Sequence, residues 1–357
     1  MSILLNPFSK GNFTLKNHIV MAPMTRSRAI DNIPNDLMAT YYAQRSGAGL
    51  IITEGTSPSA NGLGYSRIPG IFSPEQIEGW KKTTAAVHEN NSKIFVQLMH
   101  TGRVAHDINL PKGGKVIGVS DIKAAGEMYS DGVGMKEHSQ PVALTTDEVY
   151  DVMNEYVSAA KNAVEAGFDG VELHAANGYL LEQFLNPNVN NRTDEFGGSI
   201  ENRVKFLIET AQKVANEIGK EKVGLRISPF STFNDMQPYS EEEVNATYTY
   251  LAAELNKIGI AYLHLSYNPQ VSETLMKGLK ENFDGVMILC NGLTAETAET
   301  ALQEGFADLV AFGRNYIANP DFDQRLAKDA PLNEIDYNTL YTPGVEGFTD
   351  YPFLNNN

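Results

Sequence analysis

The chain has 357 residues, of which 42% are hydrophobic and 20% charged, a composition typical of globular proteins with a large core. Its formal net charge of −16 argues against nucleic acids and anionic membranes as partners, because both recruit basic surfaces. We therefore expect small-molecule partners. No apolar run is long enough to span a bilayer and the first residues lack a signal-peptide pattern, so we expect a cytoplasmic protein. The sequence leaves a monomer and a homodimer open.

The first predicted element is a β-hairpin at residues 8–17, where apolar and polar residues alternate around the turn Lys10-Gly11. It precedes a regular series of strands and helices and does not belong to that series. We expect this hairpin to close the floor of the domain that the later elements build.

Short apolar runs rich in β-branched residues then alternate with longer helical patterns, as in a parallel sheet built from strand–helix units. There are eight such runs, the number that a closed barrel needs. The predicted strands are residues 18–24, 48–55, 93–100, 170–176, 223–229, 261–266, 285–292 and 309–314. The predicted helices are residues 74–89, 146–166, 199–218, 240–258, 272–281 and 294–304. We therefore predict an α/β fold, a single (β/α)₈ TIM barrel over residues 1–357.

Several predicted helices begin with a capping signal. Ser73 precedes Pro74, Thr146 is followed by Asp-Glu, and Ser240 is followed by three glutamates. The stretch 101–145 after the third strand has no such periodicity and is rich in Gly and Pro. We predict that it forms an elaborated loop that caps the mouth of the barrel.

Active sites of such barrels lie where the strands end, and several strand ends here are polar or glycine-rich. Asn291-Gly292 precedes a helix, and bare backbone amides at a helix N-terminus bind phosphate. Gly313-Arg314 ends the eighth strand and offers a guanidinium with the geometry that phosphate favours. These two ends predict a phosphate site. The alternative is a turn glycine followed by a surface arginine.

Three other strand-end residues suit an aromatic heterocycle whose phosphate occupies that site. Gln97 offers both a donor and an acceptor, as a pyrimidine-dione edge requires. Arg226 would neutralise the negative charge that an isoalloxazine ring gains on reduction, and Thr25 could bond the ring carbonyl beside N5. The alternative for Gln97 and Arg226 is a polar layer inside the barrel.

The densest chemical signal is the segment that contains His174, Asn177 and Tyr179 within one strand-to-helix turn. Two hydrogen-bond donors three positions apart can bind one carbonyl or nitro oxygen and polarise a conjugated double bond. Tyr179 could then protonate the α-carbon as a general acid. The alternative for His174 is a structural core residue. The sequence predicts no metal site. None of its seven histidines forms an i, i+4 pair near a carboxylate, and it has a single cysteine.

These residues stand in motifs that resemble the Old Yellow Enzyme family of FMN-dependent NAD(P)H oxidoreductases, from Leu5 to about Phe353. The motifs follow the order of that family and are NHIVMAPMTRSRA, YYAQRSGAGLIITEGT, QLMHTGR, AGFDGVELHAANGYLLEQFLNPNVNNRTDEFGGSIENR, GLRISPF, AYLHLS and AFGRNYIANPDF. Thr25 stands at a position where another branch of the family carries cysteine, so the chain resembles the classical branch. Met99 departs from the family, since many relatives carry tryptophan at this position.

The resemblance implies roles for individual residues. The substrate oxygen would bind His174 and Asn177, and Tyr179 would donate the proton. The substrate pocket would be lined by Tyr65, Met99 and Tyr341. The predicted FMN contacts are Pro23, Met24, Thr25, Gly55, Gln97, His174, Arg226, Asn291, Gly292, Gly313 and Arg314.

The resemblance also implies the reaction. NADPH or NADH would reduce non-covalently bound FMN, and hydride would pass to Cβ of an enone, maleimide or nitroalkene while Cα is protonated. Nitroesters or nitroaromatics would be further acceptors. The alternatives are another FMN barrel oxidoreductase, acting on dihydropyrimidines or 2-hydroxy acids with a different base, and a non-catalytic flavin-binding barrel. No GxGxxG motif follows a strand, so the sequence predicts no separate dinucleotide fold and leaves NADH and NADPH open.

Overall fold

A computed structural model of the chain describes residues 2–354. Eight parallel strands close into a barrel, with each strand paired to its sequence neighbour and the last paired to the first. The barrel strands are β3 (Ile19–Met21), β4 (Leu50–Ile52), β5 (Lys93–Leu98), β10 (Gly170–Ala175), β11 (Val223–Ile227), β12 (Tyr262–Ser266), β13 (Val286–Cys290) and β14 (Leu309–Phe312). The predicted (β/α)₈ architecture is confirmed.

Helices pack around the outside of this barrel. They are α1 (Asp36–Gln44), α2 (Pro74–His88), α3 (Thr146–Glu165), α4 (Leu180–Leu185), α5 (Ile200–Ile218), α6 (Glu241–Ile258), α7 (Glu273–Asn282), α8 (Ala295–Gln303), α9 (Arg314–Ala318) and α10 (Phe322–Lys328). Successive strand residues point to opposite faces of the sheet, so Val20 lies inside the barrel while Ile19 and Met21 pack against the helices. In the described part of the chain, no helix is both long and apolar enough to cross a membrane.

The predicted hairpin forms from β1 (Phe8–Lys10) and β2 (Phe13–Leu15), which pair antiparallel. Its apolar side chains join the cluster of residues that fills the barrel interior. The Phe13 ring lies edge-on to Phe95, at 6.1 Å between centroids, and to Tyr262, at 6.2 Å. The hairpin therefore closes the amino-terminal end of the barrel and leaves the opposite end for the site.

The segment after β5 is more ordered than a loop without periodicity suggests. It contains two small sheets, one of β6 (Ile117–Gly118) with β9 (Val142–Ala143) and one of β7 (Glu127–Ser130) with β8 (Gly134–Glu137). Its apolar residues pack together with Met99 and Tyr179 near the ends of the barrel strands. The segment thus lies against the predicted substrate pocket.

Several boundaries differ from the sequence prediction. Seven of the eight barrel strands end earlier than predicted, because the residues that follow them leave the parallel ladder and form the rim, while β12 ends at Ser266 as predicted. The cap of α3 is Thr145, whose hydroxyl accepts the Glu148 amide, so the assignment to Thr146 was wrong by one residue. The caps at Ser73 and Ser240 are confirmed. Helices α1, α4, α9 and α10 were not predicted, since they are short and lack the periodicity of the longer ones.

Candidate functional site

Nine of the predicted site residues line one cavity at the carboxyl-terminal end of the barrel strands. Its volume is about 530 Å³, within the range of small-ligand and cofactor sites. Most of the residues follow β3, β13 and β14, which are neighbours in the barrel. The nine residues are Pro23, Met24, Thr25, Arg226, Asn291, Gly292, Gly313, Arg314 and Tyr341.

Arg226 contributes a buried positive charge to this cavity. It is 6% exposed, and its Nε has no hydrogen-bond partner among residues 2–354. Its Nη2 lies 3.8 Å from the Cys290 thiol, and no carboxylate of the described residues approaches the guanidinium within 4.0 Å. A buried cation without a counter-ion is unfavourable, so this group suits a negatively charged ligand.

The other cationic group of the cavity is Arg314, which is exposed and follows β14 directly. Gly292 lies nearby, after β13, with a φ of 69° that favours glycine. A Cβ added at Gly292 would meet no atom within 4 Å, so its backbone faces open space. A guanidinium and bare backbone at neighbouring strand ends are the groups that bind phosphate.

Three predicted flavin contacts, Gly55, Gln97 and His174, lie outside the set of cavity-lining residues. Gln97 is buried in the barrel, and its Nε2 donates to Glu172 Oε1 at 2.8 Å. Gly55 lies against Met99, since a Cβ added there would come within 2.4 Å of Met99 Sδ. The flavin contacts of these residues stay predictions.

His174, Tyr179 and Tyr65 form a second cluster beside the cavity. The rings of His174 and Tyr179 meet edge to face at 4.8 Å between centroids, and Tyr179 Oη donates to Tyr65 Oη at 3.2 Å. His174 on β10 is the register partner of Arg226 on β11, which joins this cluster to the cavity. Met99 packs in the same apolar group as Tyr179.

Burial sets the protonation of this cluster. Burial, aided by the nearby Arg226 charge, holds the pKa of His174 well below its ordinary value, so the imidazole is neutral near pH 7. The Nδ1 atom of His174 is buried without a hydrogen-bond partner in the described part of the chain. Burial also raises the pKa of Tyr179, so its hydroxyl keeps its proton. The cluster therefore offers a neutral imidazole and a proton-bearing phenol.

Asn177 lies at the turn between β10 and α4, in the left-handed backbone region with a φ of 58°. Its backbone amide donates to Ser228 Oγ at 2.7 Å, and its backbone carbonyl accepts from Asn234 Nδ2 at 2.8 Å. No described residue hydrogen-bonds its side chain. The turn thus fixes the Asn177 backbone while the side-chain amide stays available to a ligand.

The buried side chain of Glu182 on α4 stabilises the same turn through hydrogen bonds. Its carboxyl accepts the Gly178 amide at 2.6 Å, the Ser228 hydroxyl at 2.6 Å and the Tyr248 hydroxyl at 3.1 Å. Burial raises the pKa of Glu182 to about 7, although these hydrogen bonds act in the opposite direction. A buried acid that is satisfied by three donors holds the backbone between His174 and Tyr179 in one conformation.

The C-terminal segment places Tyr341 at the cavity. Arg28 is buried and donates to the carbonyls of Thr339, Leu340 and Glu346, and Arg67 Nη2 donates to the Tyr341 carbonyl at 2.8 Å. The Tyr341 side chain is 59% exposed and lines the cavity. Guanidinium groups therefore hold this segment across the barrel rim.

Sequence reasoning missed polar residues inside the barrel and around its rim. Glu172 and His264 are completely buried and form an ion pair at 2.8 Å. Each is a titratable side chain inside a largely apolar strand, and that was the signal available in the sequence. Cys290 is buried and also lines the cavity. Asn234 gave no sequence signal, because its contact with Asn177 depends on how two loops meet.

The fold and the site together describe a barrel protein whose cavity suits an anionic ligand and lies beside a buried imidazole and a buried phenol. The sequence model of the NADH:flavin oxidoreductase / NADH oxidase family matches residues 3–333. The chain belongs to this family, which confirms the resemblance to the Old Yellow Enzymes.

Individual relatives agree with this assignment. The chain is 40% identical to putative 12-oxophytodienoate reductase 11 of Oryza sativa subsp. japonica, over 98% of this chain and 97% of that protein. It is 39% identical to the probable flavin mononucleotide-dependent alkene reductase of Leishmania infantum, over 99% of this chain and 98% of that protein. The structure of morphinone reductase superposes with a TM-score of 0.94 at 41% identity, over 99% of this chain and 97% of that one. The structure of morphinone reductase in complex with tetrahydroNAD superposes with a TM-score of 0.94 at 42% identity, over 99% of this chain and 98% of that one.

The protein is therefore an FMN-dependent oxidoreductase that uses a nicotinamide nucleotide as electron donor. The residues present fit that cofactor. Arg226 has no anionic partner in the described residues, and Gly292 leaves open space where a side chain would stand. Both features favour a ligand that carries negative charge on a ring and on a phosphate.

Glu182→Gln is expected to remove a pH-dependent part of the stability. Because the folded pKa of Glu182 is about 7, the stability from its protonated form is fully present below the unfolded pKa of about 4.3 and is lost as the pH rises through 7. Between about pH 5 and pH 8, the free energy of unfolding of the wild type should fall relative to that of the variant, as measured by urea denaturation.

The matched control for this prediction is Glu165→Gln, since that side chain is exposed on α3. We expect the pH curve of this control to run parallel to the wild-type curve. A constant difference between wild type and Glu182→Gln over the same pH range would show that Glu182 does not titrate in the way its burial requires.

Proposed function

We propose that the enzyme reduces the double bond of activated alkenes such as enones, maleimides and nitroalkenes, with nitroesters or nitroaromatics as further acceptors. The observation that carries this proposal is the contact between a neutral His174 and a protonated Tyr179 beside the cavity. The names of the relatives support it, because they describe reductases of 12-oxophytodienoate, alkenes and morphinone.

We assign the cavity to FMN. When bound, FMN would carry hydride from the nicotinamide nucleotide to the alkene Cβ. Arg314 and the backbone of Gly292 and Gly313 would hold the phosphate, and Arg226 would face the ring region that becomes negative. The other assigned contacts are Pro23, Met24, Thr25, Gly55, Gln97, His174 and Asn291.

His174 and Asn177 would bind the carbonyl or nitro oxygen of the alkene. A neutral imidazole has one N–H to donate, and the Asn177 amide has two. Because β10 holds His174 and the hydrogen-bonded turn holds the Asn177 backbone, the donors are oriented before the substrate arrives. Two hydrogen bonds to one oxygen would draw electron density from the double bond and make Cβ electrophilic.

Tyr179 would deliver the proton to Cα from its Oη atom. Burial keeps that atom protonated, and its only described hydrogen-bond acceptor is Tyr65 Oη, a neutral group. The proton is thus held at a defined position without being lost to a base. Tyr65, Met99 and Tyr341 would form the walls that select the substrate by size.

The wider setting follows the same proposal. We propose that the barrel and its capping segment 101–145 act as one FMN-binding unit over residues 1–357. The strong negative charge fits a cytoplasmic enzyme that binds neither nucleic acid nor membranes. We propose a monomer or a homodimer, with NADPH or NADH as donor.

Tyr179→Phe is expected to slow alkene reduction by roughly 10²- to 10⁴-fold, because it removes the proton donor. Reduction of the flavin by NADPH needs no such proton and should stay within about twofold of wild type. Stopped-flow measurement of the two half-reactions checks this. Tyr150→Phe, which removes a surface hydroxyl bonded to Glu195, is the matched control. A comparable loss in flavin reduction would refute the assigned role.

His174→Ala combined with Asn177→Ala should weaken the binding of a phenol by roughly 10- to 100-fold, since each lost hydrogen bond costs about 1 kcal/mol or more. Enone turnover should fall as well. Spectral titration of the oxidised enzyme with the phenol measures the affinity. His88→Ala, at a surface histidine paired with Asp169, serves as the control. Unchanged phenol affinity in the double variant would overturn the oxygen-binding role.

A further inference from the structure

A buried polar network lies inside the barrel between the floor hairpin and the cavity. Its members Gln97, Glu172, Tyr262 and His264 are each no more than 2% exposed. Glu172 precedes His174 by two residues on β10, so it points to the same face one level nearer the floor. None of the steps proposed above uses Glu172, Tyr262 or His264.

Glu172 determines which way the Gln97 amide points. The two residues are register partners on β5 and β10, and Gln97 Nε2 lies 2.8 Å from Glu172 Oε1. A carboxylate only accepts hydrogen bonds, so the amide atom that faces it must be the nitrogen. The oxygen of Gln97 and its second N–H are thereby left for another partner, which gives the acceptor and donor that a flavin ring edge requires.

The rest of the network holds Glu172 in place. Tyr262 lies beside the carboxylate, and its ring occupies the space above Gly224, where a Cβ would lie 2.0 Å from Tyr262 Cζ. His264 Nδ1 lies 2.8 Å from Glu172 Oε2, and both side chains are fully buried. Both carboxylate oxygens are therefore occupied by donors.

His264 also balances the charge of Glu172. Burial is the largest single effect and lowers the pKa of His264, but the Glu172 charge, together with hydrogen bonds to Cys290 and Glu172, raises the pKa above its ordinary value. His264 is the register partner of Arg226 on the neighbouring strand, so an unbalanced Glu172 would act on Arg226 at short range through a medium of low polarity. Because His264 balances the charge of the Glu172 carboxylate, the positive charge of Arg226 stays available to the cavity.

Stability alone does not explain such a pair. A buried ion pair is on average no more stabilising than well-packed apolar residues of the same volume, because both ions lose their hydration. The neighbouring barrel positions are filled by apolar residues such as Phe95 and Ile288. The location of the pair, between Gln97 and Arg226, points to a role in the binding of the ligand.

We propose that Glu172 and His264 are positioning residues for FMN: Glu172 fixes the orientation of the Gln97 amide, and His264 neutralises Glu172 so that Arg226 keeps its charge for the ring. This inference rests on the assignment of Gln97 and Arg226 to the flavin. It does not depend on the alkene as substrate.

The role of Glu172 is tested by a double-mutant cycle on FMN affinity, measured by titration of the apoprotein with FMN. Glu172→Gln should weaken FMN binding about fivefold, because a charge-assisted hydrogen bond becomes a neutral one and the Gln97 amide is free to turn. On the Gln97→Leu background the same change should cost less than about twofold. An equal loss on both backgrounds would overturn the positioning role of Glu172.

The role of His264 is tested by the midpoint potential of the bound flavin, measured at about pH 8. His264→Gln should lower the potential, because an unbalanced carboxylate disfavours the added negative charge of the reduced ring. Glu172→Gln together with His264→Gln should return the potential towards the wild-type value. A His264→Gln potential equal to that of wild type, or a double variant as low as the single one, would overturn the charge-balancing role.

A structural control separates these effects from the general cost of breaking a buried ion pair. Asp321 and Arg325 form such a pair on and next to α10, at 2.7 Å, and neither lines the cavity. Asp321→Asn should lower the thermal midpoint without changing FMN affinity or potential. Neither readout uses an alkene, so the network can be confirmed even if alkene reduction fails, and refuted even if it succeeds.

Discussion

The buried guanidinium of Arg226 is the constraint on which the rest of the site depends. A cation that is 6% exposed needs a negative partner, and the described residues provide none within 4.0 Å. The buried carboxylate of Glu172 already has His264 as its counter-ion. The positive charge of Arg226 is therefore directed to the cavity, where a flavin ring that becomes negative on reduction can use it.

The other part of the site, formed by His174 and Tyr179, depends on the burial of two uncharged side chains. His174 is neutral and Tyr179 protonated because both are buried, and Glu182 holds their connecting turn through three hydrogen bonds. The barrel thus separates two kinds of chemistry along one rim. Fixed positive charge lies at the strand ends that we assign to the cofactor, and neutral donors lie next to the turn that we assign to the substrate.

The sequence predicted the barrel because eight apolar runs and their helices repeat along the chain. Eight of the nine predicted cavity residues lie at strand ends, which barrel geometry brings together whatever their distance in sequence. The pairing of Glu172 with Gln97 and His264 depends on strand register, which local patterns do not encode. Tyr341 and Tyr65 came from the family resemblance alone, because loops far apart in the chain place them at the rim.

The most direct test of the central claim is an anaerobic titration of the purified protein, in which the visible flavin bands are followed during addition of NADPH and then 2-cyclohexenone. The account predicts a yellow protein that bleaches with NADPH and regains its colour with the enone. Bleaching without reoxidation by the enone would contradict the alkene assignment while leaving the flavin site intact. A colourless protein that takes up no added FMN would contradict the roles of Arg226, Gly292 and Arg314.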